Sequence, residues 1–185
     1  MQGHRGKRAA GSGEGCSREE YGLMKRKGQS MKIYVASSWR NEFQHDVVKA
    51  LREDGHEVYD FREDGDGWGR GDHGPGGFGW HEVGGPNWKN WVNDIPSYLS
   101  ALEHPRAEEG FRRDMNALEQ SDVCIMVHPC GVSAAMETGW ACGAKKDVYV
   151  YVPGLREPDL MVKMAGLVTN DLDFIRSAIY ATVNP

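Results

Sequence analysis

Residues 111–153 read FRRDMNALEQSDVCIMVHPCGVSAAMETGWACGAKKDVYVYVP, and this stretch decides the fold. At its centre, 122–128 (DVCIMVH) is an apolar run of strand length with no polar alternation. Such a run is buried on both faces, as the inner strands of a parallel sheet are. A helical pattern over 106–120 precedes it and another over 134–144 follows it. A β-branched and aromatic run, 147–152 (DVYVYV), comes next. Strand, helix and strand in that order form the crossover unit of a parallel sheet.

The same alternation extends outward. Upstream, 32–36 (KIYVA) reads as a strand and 57–61 (EVYDF) as a second. Between them a helix runs from a cap at Asn41 to about Asp54, with Phe43, Val47, Val48 and Leu51 at helical spacing and Gly55 as its stop. Residues 91–102 also read as a helix. Downstream come a helix near 159–165, a short strand at 167–169 and a final helix from 171 to about 181. The fold class is α/β: a parallel sheet of roughly five strands with helices on both faces. In such sheets ligands bind beyond the carboxyl ends of the strands. The residues to weigh are therefore 37–41, the segment after the second strand, and 128–137.

Two segments stand outside this pattern. Residues 1–30 are rich in Gly, Ser and charge, hold seven Lys/Arg and three Glu, and lack periodicity. They are expected to be a disordered basic extension, leaving 31–185 as one domain. Residues 62–90 form an inserted loop in which ten glycines between Gly65 and Gly85 are interleaved with Trp68, Phe78 and Trp80. A loop this long is usually functional or disordered. Its rings either stack on a ligand as a lid or pack against the sheet.

The net charge of -5 combines +4 in 1–30 with -9 in the remainder. An acidic domain is a poor partner for nucleic acid, so a small molecule is expected. No run approaches a membrane span. Cys16, Cys124, Cys130 and Cys142 form no CxxC pair, which fits free thiols in a reducing, cytoplasmic compartment. The first strand is followed by Ser-Ser-Trp-Arg-Asn, without the dinucleotide fingerprint GxGxxG. GxxxxGK[ST], HExxH and GxSxG are absent as well. Dehydrogenase, P-loop and zinc-hydrolase chemistries are disfavoured.

Glu137 is the carboxylate that draws attention. Its neighbours are Ala134, Ala135, Met136, Gly139, Trp140 and Ala141, small or apolar residues that let a ligand approach. The helix N-terminus would hold it ionised, as a nucleophile requires. The alternative is a capping carboxylate paired with Ser133. His128 reads either as a core histidine or as a catalytic one.

KIYVASSWRN, FRRDMNALEQSDVCIMV and SAAMETGWACGAKKDVYVYV, in this order, resemble the nucleoside 2-deoxyribosyltransferase superfamily, which includes nucleoside deoxyribosyltransferases and nucleoside 5'-monophosphate N-glycosidases. The similarity spans roughly 31–174. It implies a Rossmann-like, flavodoxin-like three-layer sandwich and cleavage of an N-glycosidic bond, with transfer to water or another base. It also implies no cofactor, a nucleoside or nucleotide substrate, and a homodimer or higher homo-oligomer. Glu137 matches the nucleophilic glutamate, and Asp114 the acidic residue that orients the sugar or protonates the leaving base. Ser38 and Arg40 match a phosphate-holding segment, with Ser37 and Trp39 beside them. Gly131 occupies a position that commonly carries Asp or Ser, and Ser133 is a substitute for it. Trp80 is a candidate for the base, and Asp122 is expected to serve the backbone at the strand entry. Two other readings are an NAD glycohydrolase and a nucleotide-binding sensor or toxin-type module with little turnover.

Overall fold

The computed structural model describes residues 29–63, 65–69, 77–155 and 157–183. The expectations for 1–28 and for 70–76 of the glycine-rich loop lie outside the described residues. Strands β1 (Lys32–Ala36), β2 (Glu57–Tyr59), β3 (Val123–Val127), β4 (Asp147–Tyr151) and β5 (Leu167–Thr169) pair in parallel in the order β2-β1-β3-β4-β5. This is the flavodoxin-like order, in which the chain switches direction across the sheet between β1 and β3. The helices are α1 (Gln44–Glu53), α2 (His81–Gly84), α3 (Ile95–Leu102), α4 (Pro105–Gln120), α5 (Val132–Gly143) and α6 (Leu172–Val183).

Strand periodicity sorts the core into two halves. Ile33, Val35, Val58, Val123, Ile125 and Val127 point to one face, against Val47, Val48 and Leu51 of α1 and Ile175 and Ile179 of α6. Each fully buried Ile or Leu there contributes about 1.5–3 kcal/mol. Tyr34, Ala36, Tyr59, Cys124 and Val148 point to the other face, against Ala117 and Leu118 of α4 and Ala134 and Ala141 of α5. Alanines on those helices leave room for tyrosines on the strands. Asp122 ties the edge as expected, its Oδ2 accepting from the Lys32 backbone N at 2.8 Å.

Three boundaries differ from the sequence reading. The segment expected to be helical over 159–165 is only a 3-10 turn, Met161–Met164. Asp159 Oδ1 accepts from Met161 N at 2.8 Å, and Gly166 N returns to Val148 O in the sheet, leaving no length for an α-helix. The expected helix 91–102 is divided. Pro96 lacks an N–H and fits only a first turn, so Asp94 caps Ser97 N at 3.2 Å and α3 begins at Ile95, after the 3-10 helix Gly85–Asn93. The second strand ends at Tyr59, where Asp60 turns the chain by accepting from Arg62 N at 3.0 Å.

Candidate active site

The register of β1 and β2 sets Tyr34 beside Tyr59. Their rings stack with centroids 5.1 Å apart and planes 17° from parallel. That separation is close to the roughly 4.8 Å between neighbouring strands, so strand pairing itself aligns the rings. The Tyr59 hydroxyl donates to Asp114 Oδ1 on α4 at 2.5 Å. Glu137, on the second turn of α5, senses both the Asp114 charge and the Tyr34 hydroxyl. The two carboxylates named from sequence therefore share one site, beside the β1–β3 switch point. The two tyrosines were missed. Their signal was a polar-tipped ring at an inward position of each of two strands.

Burial is the main force on the carboxylates. Together with the Asp114 charge it pushes Glu137 up to about 7, against the opposing Tyr34 hydroxyl. Asp114 is also raised by burial, against the Tyr59 hydrogen bond and the Arg113 guanidinium. Burial holds both tyrosines well above the phenol range, so they remain neutral donors. The Tyr34 contact is loose: it acts on Glu137, yet among the described residues the buried Tyr34 Oη has no acceptor within hydrogen-bonding geometry. Two carboxyls confined together do not readily both ionise, and the Asp114 charge helps Glu137 keep its proton to higher pH.

This corrects the expectation that the helix N-terminus keeps Glu137 ionised. The dipole acts within the first turn, Glu137 lies beyond it, and desolvation prevails. The capping alternative also fails, because α5 has Gly131 at its N-cap and no side-chain cap hydrogen bond.

The wall behind Tyr59 is closely fitted. Trp68 is buried against the Tyr59 ring at 5.5 Å, so it belongs to the core and not to a lid. Gly67, at φ +79°, passes so near that a Cβ there would lie 2.4 Å from the ring. Arg113 lies 5.7 Å over the same ring and donates to Glu63 O at 2.6 Å.

The remaining predicted residues fall into three places. In the loop after β1, Ser37 is buried and donates to Val127 O at 3.3 Å, while Ser38 Oγ accepts from Arg40 N at 3.3 Å. Trp39 and Arg40 are exposed, with the Trp39 ring edge-on to Phe61 at 5.2 Å. Asn41 holds this loop against the end of β3, donating to Val127 O and Pro129 O at 3.0 Å each. Gly131 and Ser133 are exposed at the start of α5. Trp80 sits elsewhere, packed edge-on against Phe78 of the insertion, Trp91 of the 3-10 helix and Tyr98 of α3. Phe78 fits over Gly110, where a Cβ would come within 2.5 Å of it. Gly110 is one helical turn before Asp114, so the insertion rests at the rim of the site. His128 is buried, its Nε2 has no hydrogen-bond partner among the described residues, and burial lowers its pKa.

Comparison with solved structures then gives a relative. The 2-deoxyribosyltransferase of the psychrotolerant bacterium Bacillus psychrosaccharolyticus, described as a biocatalyst for synthesis of antiviral and antitumoral nucleosides, matches over 82% of this chain and 94% of its own. The TM-score is 0.50 and the identity 22%. The chain has the fold of a 2-deoxyribosyltransferase. No protein-family model and no curated protein matches it. Among the described residues no helix is long and apolar enough to cross a membrane, and no group of three or more His, Cys, Asp or Glu is placed to hold a metal ion.

Proposed function

We propose that this protein cleaves the N-glycosidic bond of a nucleoside or nucleoside 5'-monophosphate. The carrying observation is the half-buried Glu137–Asp114 pair at the switch point of the sheet. In its ionised form Glu137 attacks the anomeric carbon and forms a glycosyl ester. The C–N bond breaks, and its electron pair leaves with the base, which takes one proton from Asp114 or from water. Water or a second base then displaces Glu137 from the sugar. The low-dielectric surroundings suit a nucleophile that must shed its hydration.

Ser38, Arg40, Gly131 and Ser133 sit at the carboxyl ends of β1 and β3, where they would receive the 5' end of the sugar or its phosphate. Trp39, held by Phe61, offers a stacking surface to the base. The exposed Val132, Met136 and Trp140, spaced at four along α5, support self-association beside the site. The protein is read as a cytoplasmic homo-oligomer.

A mass-spectrometric screen for free base, with and without an acceptor base, tests this reading on nucleosides, nucleoside 5'-monophosphates and NAD. Base release lost in Glu137→Gln is the expected result. Release from NAD alone would identify a glycohydrolase of that dinucleotide. Tight binding with no release, equal in wild type and Glu137→Gln, would identify a sensor. Light scattering should give at least a dimer.

A further inference from the structure

Tyr59 is enclosed beyond what a core ring needs. Tyr34 stacks on one side, Trp68 packs at an angle, Arg113 lies over the ring, and Gly67 omits its side chain to let the loop close. A phenylalanine would fill the same volume, so the hydroxyl is what tyrosine adds. That hydroxyl makes the 2.5 Å bond to Asp114 Oδ1, its one hydrogen-bond partner among the described residues.

We propose that Tyr59 is a positioning residue: its hydroxyl fixes one oxygen of Asp114 and leaves the other to accept a hydroxyl of the substrate sugar. This rests on the glycosidase reading and decides between the two roles open to Asp114. A donor held on a carboxylate oxygen favours the acceptor form of that carboxylate over the form that gives up a proton. Asp114 therefore orients the sugar, and the departing base takes its proton from water. Through the Tyr34–Tyr59 stack the same ring keeps Asp114 in register with Glu137.

The test is Tyr59→Phe, which retains the ring and removes the hydroxyl. Carboxyl ¹³C NMR should show the Asp114 titration midpoint moving up by about 1–2 units, the equivalent of one hydrogen bond to a charged group. On the substrate found in the screen, kcat/KM should fall about 10- to 100-fold at neutral pH and recover partly as pH rises. Trp68→Phe disturbs the packing but keeps the hydroxyl, and should leave the midpoint in place. An unmoved or lowered midpoint in Tyr59→Phe overturns the proposal, as does a midpoint that moves equally in Trp68→Phe. Activity retained or raised in Tyr59→Phe would instead make Asp114 the acid. The NMR measurement needs no turnover, so an inactive wild type would count against the glycosidase reading while leaving the Tyr59–Asp114 test intact.

Discussion

Replacing Glu137 by Gln should abolish activity and at the same time stabilise the protein, and the pH dependence of the gain tests the electrostatics of the site. The folded state raises this carboxyl from 4.5 to about 7. A raised carboxylate pKa means that the folded protein resists ionisation. The cost is absent below about pH 4.5, grows as pH rises, and is complete above about pH 7. At about 1.36 kcal/mol per unit the full cost is ~3 kcal/mol. Glutamine keeps the shape and lifts the charge. Urea titrations followed by tryptophan fluorescence should give a variant ~3 kcal/mol more stable at pH 8 and equal to wild type near pH 4. For a chain of this size that corresponds to a melting temperature higher by about 6–12 °C at pH 8. Equal stability at pH 8, or a gain that does not shrink on acidification, would refute the argument that burial and Asp114 frustrate Glu137.

Asp114→Asn removes the second charge. Through lost orientation of the sugar it should lower kcat/KM by about 10²-fold, and the acidic limb of the remaining pH–rate profile should move below about 7, since Asp114 is one cause of the Glu137 rise. Gly67→Ala sets a methyl group 2.4 Å from the Tyr59 ring at a φ of +79°. Urea unfolding should show a loss of about 1–3 kcal/mol, with activity falling as well because Tyr59 is displaced. Arg176→Ala breaks the paired bonds of 2.6 and 2.7 Å to Asp54 that fasten α6 to the end of α1. It should cost about 1.5–3 kcal/mol in urea and leave the pH–rate profile unchanged, because α6 lies on the sheet face opposite the carboxylates.

The alternation of strands and helices was legible because the inner strands β1 and β3 are buried on both faces and read as apolar runs. VCIMV and DVYVY admit no other placement, and the parallel five-stranded sheet follows from their spacing. What sequence could not supply was the register. Only the pairing of β1 with β2 sets Tyr34 beside Tyr59, and only the packing of α4 brings the Asp114 carboxylate to that ring. Local sequence likewise predicted an ionised Glu137 from its place near a helix start, since desolvation by residues distant in the chain is invisible to a short window. Trp80 shows the same limit: aromatic residues in a glycine-rich loop signal a cluster without showing what it faces, and this one faces Trp91 and Tyr98.

Among the described residues no cation bridges the two carboxylates, because the hydrogen bonds of nearby arginines go elsewhere. Arg113 is adjacent to Asp114 in sequence, but its guanidinium donates to the Glu63 carbonyl. Arg62, in the loop after β2, donates to the carbonyls of Ser38 and Asn41 at 2.5 and 2.9 Å, bracing the loop that carries Trp39 and Arg40. Arg52 is paired with Glu63 at 2.6 Å. Had any of these arginines bridged Glu137, the carboxylate would be ionised and stable, but weakened as a nucleophile and blocked by its partner. Spending the arginines on backbone carbonyls and on Glu63 fixes the loops around the pair and leaves Glu137 beside Asp114 and the neutral Tyr34 hydroxyl, with Arg113 acting on Asp114 through space alone. The stability lost at Glu137 and the reactivity expected of it thus have the same origin. A substitution that brings a cation to Glu137 should raise stability at pH 8 while lowering turnover.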